Sequence, residues 1–267
     1  MTPFRLIALD LDGTLLPFDG VISDRSQRTL ERASSGGIVV TLASGRPFPA
    51  MLQYVEKLAI GAPIICNQGA QIVHPDTHDL MHNAAIPLAP ARALLEYLQP
   101  LDVDVMVDLN EDFLVRAAKF SEEFFSDFVG RPYDLVTDMS AGLCRRPSKV
   151  LIMNTAEENE HLLTALQKRF GHLIRLLRSH PMFIEGIPLG ENKATALQRV
   201  TEKLGIPQEQ TMAIGDGDND IEMVAWAGLG VAMGNASPGV KAVADYIAPR
   251  AEDDGAAEAI ERFCLNR

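Results

Sequence analysis

Five aspartates stand where two apolar runs end. Asp10 and Asp12, one residue apart, follow Leu6–Leu9, and Asp216, Asp218 and Asp220 follow Met212–Ile214. Carboxylates grouped in this way repel one another, and a buried one is tolerated where it is paired, solvated or bound to a cation. An all-oxygen donor set suits a hard cation, and Mg2+ is typically held by one or two carboxylates together with phosphate oxygens. A calcium loop of the EF-hand kind fits badly. Asp216-Gly-Asp-Asn-Asp has glycine second and lacks the bidentate glutamate at the twelfth position. Three further residues suit an anion. Ser44 offers a hydroxyl, Gly45 a backbone N–H at the start of a helix, and Lys193 a point charge suited to phosphate. Each also has an ordinary reading, namely an Asp-Gly turn, a cap and turn, and a solvated surface lysine.

The elements that carry these residues follow from periodicity. Leu6–Leu9 reads as a strand buried on both faces, and Gly13 permits a tight turn after it. Leu15–Ser23, containing Pro17 and Asp19-Gly20, reads as a loop or short hairpin. Ser23 is a plausible N-cap for a helix over 24–35 that Gly36-Gly37 would end. A strand over 38–43, a helix to about Leu58 and a strand over 63–66, which turns through Asn67-Gln68-Gly69 into 71–74, complete a β-α-β-α-β rhythm. That rhythm is typical of a parallel, doubly wound sheet, where ligands bind beyond the carboxyl ends of the strands.

The rhythm changes near Ile86-Pro87. Helices are expected over 90–99, 121–128 and 157–170, and strands over 103–107, 113–116, 149–154, 173–177 and 182–185. Neighbouring strands without crossover helices predict an antiparallel sheet. The first rhythm returns with a helix over 192–204 and strands over 210–214, 229–233 and 246–247, before a closing helix over 256–264. The expected fold class is therefore α/β. A Rossmann-like, doubly wound parallel core over 1–84 and 184–267 is interrupted by an inserted α+β domain over 85–183.

Composition narrows the function classes. At 267 residues and 47% hydrophobic, the chain can bury a sizeable core. The net charge of −12 argues against a general nucleic-acid binder. It leaves room for an anionic small substrate, since a local cation overrides the global sign. No apolar run is long enough to span a bilayer, and the N-terminus lacks a signal-peptide pattern, so a cytoplasmic protein without a membrane partner is expected. The three cysteines are scattered and suggest neither a disulfide framework nor a zinc site.

Asp10-Leu-Asp-Gly-Thr-Leu, Ser44 after its strand, Lys193, and Gly215-Asp-Gly-Asp-Asn-Asp220 resemble, in order, the four motifs of the haloacid dehalogenase (HAD) superfamily. Ala43-Ser-Gly-Arg46, Asn67-Gln-Gly-Ala70, Gly230-Val-Ala-Met-Gly-Asn-Ala236 and the position of the insert resemble its Cof-type, sugar-phosphatase-like branch. The resemblance implies Asp10 as a nucleophile forming an aspartyl-phosphate, and Asp12 as general acid and then base. It implies that Leu11, Ser44, Gly45, Lys193 and Asn219 bind the phosphoryl group, Asn219 either reaching phosphate or holding Lys193. Asp10, Asp12 (through its carbonyl), Asp216 and Asp220 would serve Mg2+, and Asp218 would not. Two departures are visible. Gln68 is inserted in the family's usual Asn-Gly-Ala run, and Ser44 stands where many relatives have threonine.

These expectations describe a Mg2+-dependent phosphatase of a small phosphorylated metabolite, a sugar phosphate first. The protein would be a monomer or weak homodimer whose insert acts as a mobile cap. The alternatives are a phosphomutase and a non-catalytic phosphometabolite sensor, although a sensor has no need of Asp12. The remaining signals read plainly. His78 and His82 lack the glutamate of a zinc-protease motif. Arg145-Arg146 reads as a solvated loop that could meet an anion, and Asn235-Ala-Ser237 is a glycosylation sequon only in a secreted protein.

Overall fold

The structure, a computed structural model, describes residues 4–17, 20–110, 112–121, 125 and 132–266. In chain order it begins with β1 (Leu6–Leu9), α1 (Asp24–Ser35), β2 (Val39–Leu42), α2 (Phe48–Lys57), β3 (Ile64–Cys66), β4 (Gln71–Val73) and β5 (Leu80–Asn83). Next come α3 (Leu88–Leu98), β6 (Asp104–Asp108), β7 (Phe113–Arg116), β8 (Asp134–Leu135), α4 (Met139–Gly142), β9 (Lys149–Met153), α5 (Ala156–Phe170), β10 (Ile174–His180) and β11 (Phe183–Pro188). The last stretch holds α6 (Lys193–Leu204), β12 (Thr211–Gly215), α7 (Ile221–Trp226), β13 (Leu229–Ala232), α8 (Pro238–Val243), β14 (Tyr246–Ile247) and α9 (Gly255–Ile260). The chain divides into two compact units. One comprises the residues up to Gly45, Leu52–Met81 and those from Asn192 onward; the other comprises Arg46–Met51 and His82–Glu191.

The first unit is built on a parallel sheet in the order β14-β13-β12-β1-β2. β1 lies at its heart, and all four of its side chains are fully buried, as a strand with neighbours on both edges and cover on both faces requires. Leu6, Ala8 and Ala213 pack against Ala196, Leu197 and Val200 of α6. Ser23 caps α1 by accepting the Ser26 amide at 3.0 Å. Asn192 and Thr195 form a reciprocal capping box that starts α6 one residue before Lys193.

β3 differs from the expected third parallel strand. It touches β2 through the parallel bridge Ala43–Ile65 but heads a separate sheet, β3-β4-β5, and pairs antiparallel with β4. A left-handed turn at Asn67–Gly69 reverses the chain straight into β4, leaving no room for a crossover helix.

The second unit carries a six-stranded sheet in the order β10-β11-β9-β6-β7-β8, antiparallel except for the β7–β8 pair. Val105, Val107, Val150, Ile152 and Ile184 turn to one face and pack with Leu94 and Leu98 of α3 and Leu166 and Phe170 of α5. Met106, Phe113, Val115, Leu151 and Met153 line the other face. β11 pairs with both β9 and β10, so this unit continues past residue 183 to Glu191. β8 and α4 escape sequence reading because they are a two-residue exposed strand and a single turn. Of the helix expected over 121–128, residues 122–124 and 126–128 lie outside the described residues, as does Asp19 of the first loop. Among the described residues no helix is long and apolar enough to cross a membrane.

Candidate active site

Parallel pairing places the acidic groups side by side. Leu9 is in register with Ile214 of β12 and with Leu42 of β2, so Asp10, Gly215 and Ala43 end three adjacent strands at one edge. The Asp10 amide donates to the Ile214 carbonyl at 3.0 Å, completing the ladder before the chain turns. The turn closes through Gly13, whose amide donates to the Leu16 carbonyl at 2.8 Å. Gly13 has φ +82, and a Cβ there would lie 2.3 Å from an Asp216 carboxylate oxygen, so the first acidic loop can lie against the second only with glycine.

Lys193 is fully buried between two carboxylates. Its Nζ donates to Asp10 Oδ1 at 2.5 Å and to Asp220 Oδ1 at 2.6 Å. The other Asp220 oxygen accepts the amides of Asp216 and Gly217, each at 3.0 Å. Both Asp220 oxygens are thus satisfied by the chain itself. Asp216 accepts from the Thr14 hydroxyl at 3.1 Å and from Asn235 Nδ2 at 3.2 Å. Asn235 Nδ2 also donates to the Gly13 carbonyl at 2.8 Å, while its Oδ1 accepts the Ala251 amide at 3.0 Å. Thr14 and Asn235 lie within the runs that carry the family resemblance, but their type gave them no role until the fold brought them to Asp216.

The electrostatics are unbalanced. Burial holds the Asp10 carboxyl well above the ordinary carboxylate range, and the charge of Asp220 adds to this against the opposing pull of Lys193. Asp216 is pushed up to about 7 by burial and by Asp220. Burial would lower Lys193, but the charges of Asp10 and Asp220 and the hydrogen bonds to them outweigh it and hold the ammonium above its usual value. Oxygens of Asp10, Asp216 and Asp220 all lie within 4.8 Å of one another. Three carboxylates against one ammonium, all donors being oxygen, fit a hard divalent cation.

The other residues singled out by type occupy distinct places. Asp12 is exposed, two residues beyond the buried Asp10. Leu11 is buried, and its carbonyl accepts the Leu15 and Leu16 amides. Ser44 is buried at the end of β2, and Gly45 lies in a bend three residues ahead of α2. Lys193 is held by Asp220, whereas Asn219 turns its Nδ2 to Gln68 Oε1 at 3.0 Å. Asp218 is exposed and accepts from Ser237. Elsewhere, His82 faces Glu191 at 3.4 Å, Arg145 pairs with Asp112, and none of the three cysteines is joined in a disulfide.

With that geometry in place, likeness to known proteins is informative. The profile of the haloacid dehalogenase-like hydrolases matches residues 7–260. The chain is 31% identical, over 97% of both sequences, to a 5-amino-6-(5-phospho-D-ribitylamino)uracil phosphatase of Bacillus subtilis. A solved haloacid dehalogenase-like hydrolase of Bacteroides thetaiotaomicron superposes with a TM-score of 0.85 at 32% identity, covering 97% of this chain and 99% of that one. The HAD subclass IIB sugar phosphatase BT4131 superposes with a TM-score of 0.84 at 26% identity, covering 97% and 98%. The chain therefore belongs to the haloacid dehalogenase-like hydrolases, as a phosphatase of that family.

Proposed function

We propose that the protein is a Mg2+-dependent phosphatase that hydrolyses a small phosphorylated metabolite, with phosphate esters of sugars or sugar alcohols first in line, through an aspartyl-phosphate on Asp10. The observation that carries this reading is the placement of the buried Asp10 against the Lys193 ammonium, with the exposed Asp12 two residues on. A nucleophile, a fixed cation and a solvent-facing carboxyl then share one strand end.

In the first step an Asp10 oxygen attacks phosphorus and the bond from phosphorus to the ester oxygen breaks. Asp12 gives its proton to the departing alcohol. In the second step water attacks phosphorus, Asp12 takes its proton, and the bond to Asp10 breaks, which returns both carboxyls to their starting states. Lys193 offsets charge on the phosphoryl oxygens, joined by Ser44, Gly45, Leu11 and Asn219. Asp10 and Asp216, with the Asp12 carbonyl, would hold the cation, and Asp220 would support it from behind. When bound, the cation supplies charge neutralisation for the phosphoryl group. The second unit is read as the inserted cap that sets substrate choice. The relatives' names support the substrate class, since the Bacillus subtilis enzyme acts on a phosphorylated ribityl compound and BT4131 is a sugar phosphatase.

The test is phosphate release from a panel of sugar and sugar-alcohol phosphates, with Mg2+ and with chelator, on wild type and Asp10→Asn. Release that needs metal and is lost in Asp10→Asn is the expected result. Conversion of a substrate to its isomer without free phosphate would point to a mutase, and no turnover by folded, Mg2+-saturated protein would sink the enzymatic reading.

A further inference from the structure

The turn between β3 and β4 carries backbone strain beside the site. Asn67, Gln68 and Gly69 have φ of 49, 58 and 95, three successive residues in the left-handed region. Non-glycine residues visit this region mostly singly, and such conformations persist where the surroundings over-determine them. Asn67 and Gln68 are also buried, at 0% and 2% exposure.

Three of the turn's contacts lead to different parts of the phosphoryl-binding set. The Gln68 amide donates to the Ser44 carbonyl at 3.1 Å, which ties the turn to the end of β2. A Cβ on Gly69 would lie 2.1 Å from the Asn192 carbonyl oxygen, so the turn abuts the residue that caps the Lys193 helix. Gln68 Oε1 accepts Asn219 Nδ2 at 3.0 Å. The other end of the Asn219 carboxamide, its Oδ1, lies over Gly217, where a Cβ would come within 2.3 Å of it. Gln68 thus receives the donor end of the Asn219 amide.

We propose that Gln68 is a positioning residue for the phosphoryl-binding side of the site: it orients the Asn219 carboxamide, and its strained turn braces Ser44 and the start of the Lys193 helix. This rests on the reading that Ser44, Lys193 and Asn219 receive the phosphoryl group. It assigns a purpose to the residue by which this chain departs from the Asn-Gly-Ala run. The strain is the means, since a relaxed turn would not carry the side chain to Asn219.

The experiment compares wild type, Gln68→Gly, Asn219→Ala and the double variant by calorimetric binding of inorganic phosphate in saturating Mg2+, by kcat and KM on a cleaved phosphate ester, and by Tm. Glycine accepts the left-handed backbone freely, so Gln68→Gly removes the side chain without straining the turn, and Tm reports what the lost packing costs. It is expected to weaken phosphate binding about tenfold, the worth of one well-placed hydrogen bond, and to raise KM. The double variant is expected to bind no more weakly than Asn219→Ala, because Gln68 acts through Asn219. Phosphate affinity within about twofold of wild type, or losses that add in the double variant, would overturn the proposal. If Gln68→Gly fails to fold, Gln68→Asn, shorter by one methylene and tolerant of this backbone, is judged by the same criteria. A wild type that neither binds phosphate nor releases it would sink the phosphatase reading itself, whereas a functional wild type with an unaffected variant sinks the role of Gln68 alone.

Discussion

Asp220 grips the same ammonium of Lys193 that Asp10 holds. One carboxylate oxygen holds the ammonium at 2.6 Å, and the other accepts two backbone amides of the loop that carries Asp216. A single carboxylate therefore fixes both a buried ammonium and the path of an acidic loop. Truncating one partner of a buried pair leaves the other charge uncompensated, at a cost of about 3–5 kcal/mol. Asp220→Ala is expected to lower Tm and to reduce kcat/KM by about 100-fold or more, as loss of a preorganised charge contact does. Asp220→Asn keeps an oxygen for the two amides and should retain more stability than activity. Thermal melts beside steady-state kinetics would check both.

Lys193→Met removes the buried ammonium beside Asp10 and Asp220. The remaining carboxylates then repel without an internal counter-charge. The variant should lose about 100-fold or more in kcat, and its Tm should depend more steeply on Mg2+ than that of wild type. A Tm titration with Mg2+ on both proteins measures this. Equal dependence would contradict the charge balance described for the site.

Burial and the charge of Asp220 push the Asp216 carboxyl up to about 7. Its folded value lies above the unfolded value of 3.8, so the protonated form favours folding. That contribution is full below the unfolded value and is lost as pH rises towards 7. A cation must displace the proton, so Mg2+ affinity should fall as pH drops below about 7, by up to about tenfold per pH unit for one proton. Accordingly, the Tm gain from Mg2+ should be larger at pH 8 than at pH 5. Calorimetry in buffers of different ionisation enthalpy would count the protons released.

Asn235 joins three segments, bonding the Gly13 carbonyl, Asp216 and the Ala251 amide. Asn235→Ala should weaken Mg2+ binding by about 10- to 100-fold, the range seen when a partner of a metal ligand is removed. At saturating Mg2+ most of kcat should return. Failure of Mg2+ to restore kcat would mean that Asn235 does more than orient Asp216.

Gly13→Ala combines a left-handed φ of +82 with a clash against Asp216 at 2.3 Å. The strained backbone alone costs about 1–3 kcal/mol. The carboxylate must also move, so activity should fall further than stability. Parallel measurement of Tm and kcat/KM tests that order.

Much was legible in the chain alone, because local physics determines it. A four-residue apolar run ending in two carboxylates marks a buried strand that delivers acid groups to a sheet edge, and Leu6–Asp12 is that. Ser23 caps its helix through a side chain that acts within three residues. What the tertiary structure decided depends on contacts between residues far apart. The parallel register of β1 with β12 brings Asp10 to Asp220 and Asp216, and no spacing in the sequence encodes it. The same holds for β3, whose apolar pattern suits either direction of pairing until the left-handed turn at Asn67–Gly69 reverses the chain. Thr14, Asn235 and Gln68 are ordinary polar residues by type. They matter because folding sets one polar atom of each within hydrogen-bond reach of Asp216 or Asn219, more than 150 residues away for Thr14 and Gln68.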